Sequence, residues 1–147
     1  RDCGDAMHRI IGAEVLNPGS ADFEGILGAF GLEEKIQVSN AKSQVTRYLE
    51  FVRERFAPLR QEVEVPFNLT NELGQRVSGF IDHLIETPNG LVVIDHKIFP
   101  GKRTEWEAKA LSYSGQLKLY REVTGATAVA IHLVTTGTLL FLDFDAP

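Results

Sequence analysis

Two aspartates and a lysine occupy positions where charge needs a reason. Gly79-Phe80-Ile81-Asp82-His83-Leu84-Ile85 is followed, after a turn, by Leu91-Val92-Val93-Ile94-Asp95-His96-Lys97. Charged side chains inside apolar strands are almost never fully buried unless paired or bound to a cation. Side chains alternate along a strand, so Asp95 and Lys97 share one face and His96 takes the other. Two carboxylates that meet repel each other unless a cation lies between them or one is protonated. A hard divalent metal is the economical way to satisfy such a pair. The plain alternative is an Asp95–Lys97 or cross-strand ion pair at a sheet end.

Whether Asp82 meets Asp95 depends on hairpin register. Pro88 cannot take the positive φ of a two-residue type I′ loop. A four-residue loop from Thr87 to Gly90, with Gly90 left-handed, pairs Glu86 with Leu91 and sets Asp82 opposite Asp95. Their Cβ atoms would then lie about 4.5–5.5 Å apart. A three-residue loop with a bulge at Gly90 slips the register by one and separates them.

The elements that must position this hairpin are legible on both sides. Met7, Ile10, Ile11, Val15 and Leu16 recur at helical spacing behind a cap at Asp2 or Asp5, and Asn17-Pro18-Gly19 ends that helix. A short helix follows from Ser20 to about Phe30. A third, capped by Ser39 or Asn40, carries Val45, Tyr48, Leu49, Val52 and Phe56 and closes at Pro58. Val63, Val65, Phe67 and Leu69 then alternate with polar residues as a strand with one apolar face. Strands at about Gln75–Glu86 and Leu91–Lys97 form the hairpin. One helix is expected from about Glu105 to Val123, with a stripe of Trp106, Ala110, Tyr113, Leu117 and Tyr120. Strands at Ala128–Val134 and Thr138–Phe144 complete the order. The expectation is one α/β domain over residues 1–147, with a mixed, mostly antiparallel central sheet of about five strands flanked by helices.

Composition bounds the function class. The 147 residues are 44% hydrophobic and 24% charged, enough for one well-formed core. No apolar run reaches the roughly 18 residues of a membrane span, so no membrane partner is expected. Cys3 is the single cysteine, which excludes a disulfide scaffold, and no secretory signal is visible. A cytoplasmic setting follows as the expectation. The net charge of −5 argues against a nonspecific nucleic-acid coat but not against an acidic metal site. Arg1 at the start, in place of Met, is read as the mark of a segment of a longer chain.

The motifs together resemble a known group. Gly79-Phe80-Ile81-Asp82, then Val92-Val93-Ile94-Asp95-His96-Lys97, then Gln116-Leu117-Lys118-Leu119-Tyr120 are similar to the PD-(D/E)xK nuclease superfamily. Gly4-Asp5-Ala6-Met7-His8 matches the G-x-x-x-H motif of its RecB-like branch, the nuclease domain of helicase-nucleases. All four occur in order from His8 to Tyr120. The resemblance implies a restriction-endonuclease-like core and divalent-metal-dependent hydrolysis of DNA, with exonuclease action in repair or recombination. It implies His8, Asp82, Asp95 and the backbone carbonyl of His96 as ligands of Mg2+ or Mn2+. Asp82, Asp95 and Lys97 would be catalytic, Lys97 orienting the attacking water and offsetting phosphate charge. Gln116 and Tyr120, one helical turn apart, would position DNA or the lysine. The implied partners are DNA, the helicase region of a parent chain and a second subunit. His96 and Ile98 depart from the usual aromatic and Thr or Ser at those positions. An iron–sulfur cluster on four cysteines, present in some relatives, is excluded.

Other candidates weigh less. His83 and His96 should point away from the carboxylates, and His132 has no visible partner. Glu64, before Val65-Pro66-Phe67, is either a supporting acid or a solvated one. Gly101-Lys102-Arg103-Thr104 lacks the first glycine of a phosphate loop, because position 96 is His. Lys102, Arg103, Lys109, Lys118 and Arg121 could line a rim for the DNA backbone or be an ordinary solvated face. The competing function is an inactive nuclease-fold module that binds DNA or a partner subunit. The third reading is a small-molecule metal hydrolase.

Overall fold

A computed structural model describes residues 1–144. Helices α1 (Asp2–Leu16), α2 (Phe23–Ala29) and α3 (Val38–Phe56) come first. Strands β1 (Arg60–Thr70), β2 (Arg76–Thr87) and β3 (Gly90–Lys97) follow, then α4 (Arg103–Ser112), α5 (Ser114–Thr124), β4 (Ala128–Leu133) and β5 (Thr138–Phe141).

The helix starts differ from the sequence expectation in instructive ways. Neither Asp2 nor Asp5 caps α1. Both lie in its first turn, where a carboxylate still favours the positive end of the helix dipole. Asp22 accepts from Gly25 N at 3.0 Å and so starts α2 later than Ser20 would. Val38 opens α3, which leaves Ser39 and Asn40 inside the first turn. Its end is as expected, with Ala57 left-handed (φ 45°) ahead of Pro58.

The single helix expected over Glu105–Val123 is two helices broken at Tyr113. Two causes act at the break. Ser112 Oγ donates back to the Lys109 carbonyl at 2.5 Å, a bond that bends helices, and Tyr113 N takes the tighter i−3 partner Ala110. Ser114 and Gly115, both weak helix formers, follow. β5 ends at Phe141, short of the expected Phe144.

The sheet has strand order β1-β2-β3-β4-β5, with β3–β4 parallel and the other pairs antiparallel. The α4–α5 pair is the crossover that a parallel neighbour requires. One face packs against the first three helices through Ile10, Ile11, Leu27, Val45, Val52, Ile85 and Ile94. The other packs against α4 and α5 through Val93, Ala110, Leu117, Val129 and Ile131. The expected mixed, mostly antiparallel sheet flanked by helices is the architecture found. Among the described residues, no helix is long and apolar enough to cross a membrane.

The central hairpin has the register that joins the aspartates. Glu86 pairs with Leu91, Thr87 with Gly90 and His83 with Ile94, so Asp82 falls opposite Asp95. The closure is tighter than the expected four-residue loop, because the ladder extends to Thr87 and Gly90. Pro88 and Asn89 keep negative φ, so it is not a type I′ turn, and only Gly90 is left-handed (φ 120°). Thr87 Oγ1 donates to Gly90 O at 2.7 Å and accepts from Asn89 N at 3.1 Å, which holds the turn.

Candidate active site

Four segments converge at the end of β3. His8 arrives from the buried side of α1, next to Met7 and Ile11, which anchor that helix in the core. Its Nε2 lies 3.0 Å from Asp82 Oδ2 and 2.9 Å from the His96 carbonyl oxygen. Asp82 Oδ2 also accepts from His96 N at 2.8 Å. One nitrogen therefore faces a carboxylate oxygen and a carbonyl oxygen together, and a single N–H cannot serve both well. An imidazole nitrogen, a carboxylate and a carbonyl meeting at one point form a donor set suited to a divalent cation.

Asp95 lies beside this meeting point and is 3% exposed. Lys97 Nζ stands 3.1 Å from Asp95 Oδ2, an ion contact to an oxygen that is otherwise without a hydrogen bond. Asp95 also interacts with the neighbouring Asp82 carboxyl. Among the described residues, no three His, Cys, Asp or Glu side chains stand together at metal-ligand spacing. The convergence at His8 is completed by a main-chain oxygen.

Protonation follows from the geometry. Burial pushes the Asp95 carboxyl up, the Asp82 charge adds to that, and Lys97 opposes it, for a value of about 7. Asp82 is lowered against its own burial by the bond and charge of His8 and by the His96 N–H. His8 is raised, burial being outweighed by Asp82 and the His96 carbonyl. Two adjacent carboxyls do not both ionise easily, so the charge falls first on Asp82 and Asp95 is the harder of the two to ionise.

Lys97 is held from two sides. Its Nζ sits 4.5 Å from the centroid of Tyr113, and Lys109 lies 5.4 Å from the same ring. The helix break at Tyr113 delivers that ring to the lysine. Gln116 and Tyr120 hydrogen-bond neither Lys97 nor a carboxylate. Gln116 Nε2 donates to the Tyr120 hydroxyl at 2.7 Å, and that hydroxyl donates to Phe80 O at 3.1 Å. The pair thus pins β2 two residues before Asp82. Phe67 packs on Tyr120 with centroids 5.4 Å apart, and a Cβ at Gly79 would come within 3.0 Å of the Phe67 ring.

A cleft of about 450 Å³ opens beside His8 and Asp82, lined also by Asp5, Arg9, Phe30, Glu64 and Phe80. Glu64 has φ 49°, unusual for a non-glycine in a strand, and it stands opposite Asp82 in the β1–β2 ladder. Sequence could show its acidity but not this conformation. A hollow of about 510 Å³ between α4 and β5 is lined by neither Asp82 nor Asp95 and is mainly apolar.

On the other side, His83, His96 and His132 are all buried around Tyr48. Tyr48 Oη lies 2.6 Å from His83 Nδ1, and Gln61 Oε1 2.8 Å from His83 Nε2. His96 Nδ1 and His132 Nδ1 are 2.9 Å apart, and His132 stacks on Tyr48 with centroids 4.1 Å apart. Burial lowers all three imidazoles, His83 to about 4 and His132 to about 3. The expectation that His83 and His96 point away from the carboxylates holds. His132, partnerless on the sequence reading, has a partner in His96.

Comparisons with known proteins give the family. The family model of the PD-(D/E)XK nuclease superfamily matches residues 2–147. An ATP-dependent helicase/nuclease subunit of Anoxybacillus flavithermus (strain DSM 21510 / WK1) is 35% identical over 108 residues, 67% of this chain. The match spans only 9% of that relative's length. Among solved structures, SSO0001 matches at 14% identity and TM-score 0.47, covering 96% of this chain and 66% of that one. VC1899 from Vibrio cholerae matches at 10% identity and TM-score 0.38, covering 89% and 42%. Scores at that level carry no further argument. The chain belongs to the PD-(D/E)XK nuclease superfamily, and its function is of the nuclease type.

Proposed function

We propose that this member of the superfamily is a divalent-metal-dependent deoxyribonuclease, the exonuclease module of a longer helicase-nuclease acting in DNA repair or recombination. The observation that carries the reading is the meeting of His8 Nε2, Asp82 Oδ2 and the His96 carbonyl beside the buried Asp95 carboxyl. These groups would hold Mg2+ or Mn2+, hard oxygen donors suiting the first and the imidazole admitting the second. When bound, the ion would acidify a water and offset charge on the phosphoryl oxygens.

The chain's own residues supply the rest. Asp95, whose ionisation burial and the Asp82 charge oppose, would ionise more readily with a cation held beside it. Lys97, steadied by Asp95 and the Tyr113 ring, presents a fixed cation to the scissile phosphate, where preorganised charge lowers the barrier. Gln116 and Tyr120 act through the Phe80 carbonyl to keep β2, and so Asp82, in place. Lys102, Arg103, Lys109 and Lys118 would track phosphates without reading sequence. The relative's name, a helicase/nuclease subunit, supports a parent chain that delivers DNA to this module and a second subunit beside it.

Cleavage of labelled DNA is the test. Intact chain should degrade it with Mg2+ or Mn2+ and stop with EDTA. Asp95→Ala and Lys97→Ala should lose cleavage while keeping much of the DNA affinity. An intact chain that binds DNA but never cleaves under any divalent cation would instead be a binding module.

A further inference from the structure

Phe80 is a large apolar side chain that the core does not use. It is 62% exposed within β2, two residues before Asp82, and it lines the same cleft. Leaving an aromatic ring in water forgoes the stabilisation that burial would give, yet the backbone beneath it is secured by the Tyr120 hydroxyl bond. Across the cleft stands Phe30, with the Arg9 guanidinium 5.7 Å from its ring centroid. The remaining lining is His8 with the carboxylates Asp5, Glu64 and Asp82. Carboxylates repel a phosphate backbone wherever no cation offsets them, whereas an aromatic face offers a contact indifferent to charge.

We infer that Phe80 is a stacking ledge for one unpaired nucleobase of the strand whose phosphate reaches Asp82 and Lys97. The inference rests on the hydrolytic reading above and adds the residue that selects the nucleotide's state. A base inside a duplex has both faces covered by its neighbours, so only a single-stranded or terminal base can offer a face to Phe80. Stacking tolerates any base, so the ledge chooses strandedness without choosing sequence.

Binding separates this from a phosphate-only mode. A thymidylate strand of about ten nucleotides and an abasic strand of equal length are titrated at matched salt in Ca2+, so that the backbone contribution is common to both. Intact chain and Phe80→Trp should hold the thymidylate strand roughly tenfold or more tighter than the abasic one. Phe80→Ala and Phe80→Leu should bind both strands alike, at the abasic level. Equal binding of both strands by intact chain overturns the inference. So does a preference that survives Phe80→Ala, which would make the ring a contact for a protein partner. Failure of the hydrolytic reading shows separately, as intact DNA in Mg2+ and Mn2+ whatever the binding ratio.

Discussion

The two sides of the β2–β3 hairpin carry alternating residues of the same two strands and solve opposite problems. Asp82 and Asp95 turn toward the cleft and Lys97, while their sequence neighbours His83 and His96 turn toward Tyr48 on α3. On the imidazole side, polar atoms bond to one another and charge is suppressed: Tyr48 meets His83, Gln61 meets His83, and His96 meets His132. On the carboxylate side, Asp82 holds its charge against His8 and Lys97 stands against Asp95. Among the described residues, each side keeps one buried atom without a hydrogen bond, Asp95 Oδ2 here and His132 Nε2 there. The two sides differ in charge and access: burial holds the imidazoles neutral, whereas Asp82 stays ionised and opens on the cleft.

Substitutions should break that contrast unequally. Asp95→Ala should lower cleavage by about 10²–10³-fold or more, the scale for removing one fixed electrostatic partner. Its unfolding midpoint in urea should stay level or rise, because an undercompensated buried carboxyl goes with it. If Asp95→Ala instead unfolds the chain while cleavage per folded molecule persists, the two sides are not different in kind.

Tyr48→Phe tests the imidazole side. It strips a partner from the buried His83 Nδ1 and should cost about 1–3 kcal/mol in urea unfolding. Cleavage per folded molecule should change much less than in Asp95→Ala.

Metal-free stability against pH should read both sides at once. Burial lowers His83 to about 4 and His132 to about 3, so unfolded chain binds more protons below about 6.5. That stabilising contribution is complete above 6.5 and is lost as pH falls toward 4. Asp95, raised by burial and the Asp82 charge to about 7, acts oppositely: its contribution is present below the ordinary carboxylate range and lost as pH rises to 7. In EDTA, His132→Leu should flatten the acid-side loss and Asp95→Asn the loss between about 4 and 7. Denaturation curves at stepped pH show whether each variant alters its own limb.

The smallest effect belongs to the lysine's aromatic support. Tyr113→Leu should reduce kcat about three- to tenfold, while Tyr113→Phe, which keeps the ring face, should stay near the intact chain. Equal losses in both would move the role from the ring to the hydroxyl.

Much of this was legible in the chain itself. Alternation around Asp82, His83, Asp95 and His96 separates carboxylates from imidazoles, because a strand has only two faces. Pro88 and Gly90 narrow the turn to two registers, and the one found sets Asp82 opposite Asp95. The ordered motifs from His8 to Tyr120 pointed to the superfamily. Local chemistry sufficed there because each constraint acts within a few residues.

Tertiary structure decided what depends on distant partners. No local rule brings His8 Nε2 to a carboxylate 74 residues on, or pairs His132 with His96 across parallel strands. The helix break at Tyr113 is local in cause, the Ser112 hydroxyl donating to the Lys109 carbonyl, but only packing brings the Tyr113 ring to Lys97. Gln116 and Tyr120 were recognisable as a pair, but only packing shows that they hold the Phe80 carbonyl. Glu64's left-handed backbone and Phe80's exposed ring also arise only when strands and helices meet. Propensity and alternation act between sequence neighbours, whereas burial, convergence and the cost of an unmatched oxygen are properties of the assembled chain.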